Sequence, residues 1–515
     1  MSAPSKQYIF QIFGSRSLSK QASTPRMKAS PSRFLIGICS AALGLGSAQP
    51  PVPSELQPAR ELLNQSEQIN LADAINATLR SNPELLGASE TIEARRSQLA
   101  SNKRRWSPTA SFFTYSDATP LLGQYFETDI IAYPNSSDES STYEFNNYSL
   151  GSLGLQVSWS FLEPSRQPAI NRSNSLLEAE RFTFETIARS IVLDTQLSYY
   201  ELQENQRLIL IYEEIYRRNL EQLNIIEEQF KGGLLHIGDV SQQKTLLLSQ
   251  LITLDGLYRS QLEAASELAR LMGRPPGSSV LPFQTSRSTF PNWTLTLQQT
   301  ITEGLALREE IRLSLAEAEA DDWEAKRLLN SYLPVLSLTA NGYSTYSEGI
   351  IDGPIGSSNS EDRGRSIDTD LAVGLGFNWT FFDGGVQAAQ AASNRSLAKA
   401  QRLQAQQKRN LVGNQISQSY SAYLTSKLAL PQSQEALDTA KQAVNVAAAR
   451  YAAGVGDITT VVQATELLGD AAEQNKSLRL IYRNAIAELY RYSAQWPKPF
   501  QPQIRALMKS RTTDP

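Results

Sequence analysis

The chain of 515 residues holds one cysteine, one histidine and no apolar run long enough to span a membrane comfortably as a helix. A single thiol, Cys39, can supply neither a disulfide framework nor a cysteine metal site. The single imidazole, His236, leaves no HExxH pair, and in a predicted turn it supports no Ser-His-Asp site. Lys and Arg number 48 against 52 Asp and Glu, so charge gives no push toward nucleic acid. Gly384-Gly385 lacks the lysine of a phosphate loop. The expectation is a protein that is not an enzyme, with no cofactor and no metal.

The one membrane-like stretch is 34–45, preceded by Lys28 and Arg33 and followed by Gly46-Ser47-Ala48. A secretory signal over 1–48 is expected, cleaved after Ala48, with Met27 as the true start. Cys39 is then an ordinary residue of the apolar run, and the mature chain carries no thiol. An exported chain with no membrane-length helix keeps one membrane option, a barrel.

What is present is repetition. Leu71, Ile75, Leu79, Glu84 and Pro108 reappear about 220 residues on as Leu297, Ile301, Leu305, Glu310 and Pro334. Gly154–Phe161 meets Gly374–Phe381, and Phe230–Gly233 meets Tyr451–Gly454. Each half carries a helical pattern, two strands, a long helical pattern, a turn and another helical pattern. The expected boundaries are a linker at 49–66, a first repeat at 67–277, a linker at 278–293, a second repeat at 294–493 and a tail at 494–515.

Leu153, Leu155, Val157, Trp159 and Phe161 alternate with small or polar residues, as do Leu371, Val373, Leu375, Phe377, Trp379 and Phe381. A soluble sandwich gives the same alternation, but about 9–11 residues suit a tilted membrane strand. Leu155, Val157, Trp159, Leu375, Phe377 and Trp379 are therefore expected to face lipid, the tryptophans as an interfacial girdle. Segments 108–116 and 334–346 supply two further strands, and 117–147 and 347–368 read as surface loops. Four strands cannot close a membrane barrel alone, since about eight is the minimum in one chain.

From 168 to 231 there is no glycine and no interior proline, which allows roughly 95 Å of helix. Leu202, Ile209, Tyr216, Leu223 and Phe230 recur by sevens, and Tyr423, Leu430, Leu437, Val444 and Tyr451 repeat the pattern. Ser426, Ser433, Ala440 and Ala447 are small enough for close helix approach, and Pro431 predicts a kink. Shorter helical patterns at 71–106, 240–274, 297–331 and 461–493 are expected to stack in pairs beside the long ones. Glu213-Glu214 and Glu227-Glu228 read as solvated faces.

Arg450-Tyr451-Ala452-Ala453-Gly454-Val455-Gly456-Asp457 and Phe382-Asp383-Gly384-Gly385 resemble the helix-hairpin tip and the strand-to-helix junction of the TolC family of outer-membrane channel proteins. Phe230–Val240 is the first-half copy of the tip. The resemblance covers about 67–493. It implies an α+β membrane protein, internally duplicated, with four strands per chain in a trimeric 12-stranded barrel continued by a long periplasmic helical barrel. It also implies a passive export duct in the outer membrane, a homotrimer bounded by lipid that works with a periplasmic adaptor and an inner-membrane pump. The alternative is an exported structural coiled coil without a pore.

On the same resemblance, carboxylates near the tip narrow the tunnel, which makes Asp239, Gln242, Thr460 and Gln463 candidates for the gate. Asp239-Val240-Ser241-Gln242 and Thr460-Val461-Val462-Gln463 also read as capping boxes, a compatible role. The tips Gly233, Leu234, Gly454 and Val455 are candidates for adaptor docking, and Asp383, Gly384 and Gly385 for the strand-to-helix turn. The first half departs at that junction, with Phe161-Leu162-Glu163-Pro164-Ser165.

Overall fold

The computed structural model describes residues 56–114, 122–131, 142–283, 291–354 and 363–497, all within the compact unit Pro50–Pro515. The signal over 1–48, with Met27, Cys39 and Ala48, lies outside the described residues, as does the tail beyond 497. The 49–66 segment is not all linker: α1 (Gln57–Asn64) forms there, and β1 (Glu67–Ile69) follows.

The helical pattern at 71–106 is two helices, α2 (Leu71–Ser81) and α3 (Pro83–Arg104). Pro83 pushes Asn82 out of the helical region, to φ −65° and ψ 122°. Asn82 then ends one helix and caps the next, its Oδ1 accepting from the N–H groups of Glu84 and Leu85. The pattern at 297–331 likewise splits, into α6 (Leu297–Leu307) and α7 (Glu309–Asn330), around Arg308 at φ −60° and ψ 121°. No proline forces that break. Instead Arg308 turns inward onto Glu310, with a nitrogen–oxygen distance of 2.7 Å.

Two long helices dominate, α4 (Arg166–Lys231) and α8 (Val386–Ala452). At 66 residues α4 runs roughly 100 Å. It packs against α3, α5 (Ile237–Leu271), α7 and α9 (Ile458–Tyr492), and α8 packs against α7 and α9. Pairs of shorter helices thus do lie beside each long one. The α4 seam residues Leu202, Ile209, Tyr216 and Leu223 are buried, whereas Phe230, near the end of the helix, is exposed. Along α8, Ala391, Ala398, Ala405, Val412, Ser419, Ser426, Ser433, Ala440 and Ala447 are all buried at a spacing of seven. Small side chains there bring the backbones close. Helix α8 continues through Pro431.

Polar ties replace apolar packing at several levels. Glu204 (1% exposed) pairs with Arg479 at 2.7 Å and Arg483 at 3.3 Å, which fixes α4 to α9. Glu213 corrects an expectation: it is buried, not solvated, and Tyr258 of α5 donates its hydroxyl to it. The linker at 278–293 is also anchored. Its β5 (Val280–Pro282) pairs in parallel with β1, and Trp293 is buried against Tyr490.

The main sheet is made by β2 (Thr109–Phe113), β3 (Leu122–Ile131), β4 (Thr142–Leu162), β6 (Val335–Pro354) and β7 (Arg363–Asn378). All neighbours run antiparallel, and β2 and β3 pair with successive stretches of one edge of β4. The two expected surface loops are therefore largely strand: 122–131, 142–147, 347–354 and 363–368 are all in the ladder. Glycines and acidic residues set among their apolar positions hid the period of two. Residues 115–121, 132–141 and 355–362 lie outside the described residues. Trp379 and Phe381 fall just beyond the end of β7.

Candidate functional site

Two regions carry the candidate residues, the junctions where strands become helices and the tips where helices turn back. At the second-half junction, Gly384 and Gly385 have φ of +71° and +86°. A side chain with a Cβ adopts such angles at a cost, which is why glycine stands there. Asp383 accepts three hydrogen bonds, from the Tyr332 hydroxyl at 2.7 Å, the Gly385 N–H at 2.8 Å and the Gln387 N–H at 2.9 Å. These donors, Tyr332 first, hold its carboxyl below the usual carboxylate range. The Trp379 indole donates to the Tyr332 carbonyl at 2.8 Å, so strand end, helix start and the end of α7 form one knot.

The first-half junction solves the same problem without glycine. Trp159 donates to the Trp106 carbonyl at 2.8 Å. Glu163 replaces the aspartate and accepts from Arg105 at 3.0 Å and Arg166 at 2.8 Å. Arg166 is 2% exposed, stacks over Trp106 at 4.5 Å and donates to the Ser160 carbonyl. Tyr332 and Arg166 were not legible as junction residues, because Tyr332 meets Trp379 and Asp383 47 and 51 positions away and Arg166 stacks on Trp106, beyond the end of α3.

At the tips, Gly233 (φ +75°) and Gly454 (φ +72°) end α4 and α8. Leu234 N–H returns to Gln229 O at 2.9 Å and Val455 N–H to Arg450 O at 3.1 Å, satisfying carbonyls that the helices leave open. Leu234 and Val455 are exposed at 77% and 68%. The tips pack on each other through Ile226, Ala447, Ile458 and Val461.

The capping boxes are displaced from their expected places. His236 caps α5, and Asp239 sits three residues on, accepting from the His236 N–H at 3.2 Å. Asp457 caps α9 and accepts from the Thr459 N–H at 3.2 Å, so Thr460 is not the cap. Each helix starts three residues earlier than its pattern predicts. Gln242 is freed from that role and reaches the other hairpin, its Nε2 lying 3.5 Å from Thr459 Oγ1. Thr460 and Gln463 are exposed, and Asp239 and Gln242 are half-buried. Burial pushes the Tyr451 hydroxyl upward, and the carboxylates of Asp239 and Asp457 push it further.

On the sheet, Leu155, Trp159, Leu375, Phe377 and Trp379 are exposed and Val157 is half-buried. Register places Val157 opposite Ala340 and Leu375 opposite Leu338, on one face. No helix among the described residues is long and apolar enough to cross a membrane, and no described cluster of His, Cys, Asp or Glu could hold a metal ion.

The family model described as outer membrane efflux protein matches residues 74–274 and 300–495. The outer membrane protein TolC of Escherichia coli (strain K12) is 26% identical over 403 residues, covering 72% of this chain and 75% of that protein. The pyoverdine export outer membrane protein OpmQ of Pseudomonas aeruginosa is 27% identical over 355 residues, covering 66% and 69%. The CmeC outer membrane channel of Campylobacter jejuni superposes with a TM-score of 0.65 at 16% identity, over 95% of this chain and 98% of that one.

Proposed function

This chain belongs to the outer membrane efflux protein family, and from that premise we propose that three copies close one barrel in the outer membrane and continue it as a periplasmic helical tunnel. The protein is an outer-membrane export duct with a periplasmic helical extension. Its energy comes from elsewhere: an inner-membrane pump, joined through a periplasmic adaptor, drives substrate into a channel that does no chemistry. The matching order of elements in 71–271 and 297–492 supports the reading that the two halves are copies of one unit.

One observation carries the proposal. The sheet with the outward apolar row runs into helices of 66 and 67 residues through knotted junctions, so the wall that meets lipid is continuous with the helical wall. The free edges of the sheet, β2 and β3 on one side and β7 on the other, suit pairing with further copies. The tips Gly233, Leu234, Gly454 and Val455 fit the adaptor role because they present exposed apolar side chains on rigid turns. Asp239, Gln242, Thr460 and Gln463 fit the gate because they lie in the first two turns of α5 and α9, where Gln242 reaches Thr459 across the two hairpins.

Conductance of the purified mature protein in planar bilayers tests the proposal. Discrete openings from a particle of three cross-linked copies are expected. A protein that is soluble without detergent and never conducts would instead be an exported coiled-coil scaffold.

A further inference from the structure

The sheet is taller than a membrane needs. Strand β4 has 21 residues, β6 has 20 and β7 has 16. At about 3.3 Å per residue β4 is roughly 70 Å long, or roughly 50 Å along the membrane normal at the usual tilt of about 45°. The apolar band of a membrane barrel is only about 25 Å tall.

The outward face changes character part-way up. Nearest the helices it carries Phe377, Leu375, Val373 and Leu371 on β7, exposed at 66%, 77%, 70% and 83%. Leu338 on β6 and Leu155 and Leu153 on β4 are exposed on the same face. One pair further from the helices, Ser344 and Thr369 stand opposite each other with hydroxyls 3.2 Å apart. Beyond them Tyr346 faces Ile367, and Glu348 faces Arg365. Arg365 pairs with Glu348 at 3.5 Å and lies over the Tyr346 ring at 5.6 Å. On β4 at that height, Ser149 donates to Gln124 at 3.1 Å. An arginine, a glutamate and a run of hydroxyls on the lipid side of a barrel oppose placement in hydrocarbon. The ladder nevertheless continues past them, to Ile131–Thr142 on one hairpin and to the Ile350–Arg363 pair on the other.

We propose that the distal half of the sheet, from Thr369 and Ser344 outward, stands clear of the hydrocarbon as a stiff collar in the sugar- and phosphate-bearing head-group layer of the outer leaflet. This rests on the export-duct reading, which sets the lipid face and puts the helices in the periplasm. The collar continues the lipid-facing belt directly, so head groups are the neighbours its outward face meets. Hydroxyl, carboxylate, amide and guanidinium groups on that face match sugar hydroxyls and phosphates by hydrogen bonding and charge.

The test places a nitroxide on Arg365→Cys, Glu348→Cys, Val373→Cys or Leu375→Cys in a Cys39→Ala background. The purified mature protein is reconstituted in phospholipid bilayers with and without lipopolysaccharide. Collisions with a water-soluble nickel complex should exceed those with oxygen several-fold more at 348 and 365 than at 373 and 375. Lipopolysaccharide should lower the nickel collisions at 348 and 365 only. Oxygen-dominated spectra at 348 and 365 would place the collar in hydrocarbon and overturn the inference. Indifference to lipopolysaccharide would overturn the head-group contact. Nickel access at 373 and 375 as well would sink the membrane reading itself, a distinct failure.

Discussion

Tyr332 donates its hydroxyl to Asp383 at 2.7 Å while its own carbonyl accepts the indole of Trp379. One residue at the end of α7 thereby fixes both sides of the turn that carries the sheet into α8. Asp383→Ala should lower the melting temperature in detergent more than Tyr332→Phe does, because alanine strands a hydroxyl and two backbone N–H groups whereas phenylalanine removes one donor. Gly385→Ala should cost about 1–2 kcal/mol from its positive φ. Gly374→Ala, in open space at an ordinary φ, should melt close to the parent. Equal melting of the two glycine variants would remove the strain argument.

Acid should loosen the middle of the helical domain. Burial works against the Glu310 charge, but Arg491 and Arg308 outweigh it and hold the carboxyl at about 2, below its ordinary 4.5. A group depressed on folding stabilises above its unfolded value and loses that contribution as pH falls through the folded one. The contribution, at most about 3 kcal/mol, should be complete above pH 4.5 and vanish between 4.5 and 2. Glu310→Gln should flatten that limb of a stability–pH curve measured by denaturant unfolding; an unchanged limb would assign the acid sensitivity elsewhere.

The Glu213–Tyr258 pair makes a third prediction. Tyr258→Phe leaves a buried carboxylate without its donor and should destabilise by about 2 kcal/mol. Adding Glu213→Leu should recover most of the loss, since an apolar pair of similar shape avoids the orphaned charge. Additive losses in a double-mutant cycle would mean that the two side chains are not coupled.

Gate selectivity is the fourth. Three copies of Asp239 around one axis would favour cations. Asp239→Asn should reduce cation preference in single-channel recordings, and the loss of its bond to the His236 N–H should also fray the start of α5. Unchanged selectivity together with a frayed tip would leave Asp239 as a helix-start residue alone.

Local pattern determined much of this protein. The sevenfold spacing in α4 and α8 marked the buried seams, since a helix turns the same side chain inward every two turns. Glycines at 233, 384, 385 and 454 marked turns because only glycine enters positive φ without strain. Alternation at 153–161 and 371–377 marked the exposed apolar rows of the sheet. Tertiary structure alone decided the rest. Strand 363–368 lacks an apolar row, and in 122–131 Gln124 and Thr128 interrupt the row of Leu122, Phe126 and Ile130, so only pairing with β4 and β6 reveals them. Glu213 looks solvated in sequence and is buried because Tyr258 on another helix satisfies it. The break at Arg308 has no proline, and Glu163, Arg166 and Tyr332 owe their places to Arg105, Trp106 and Asp383, each far along the chain. Periodicity records which way a side chain points on its own element, whereas a hydrogen bond between elements exists only once packing has brought its donor and acceptor together.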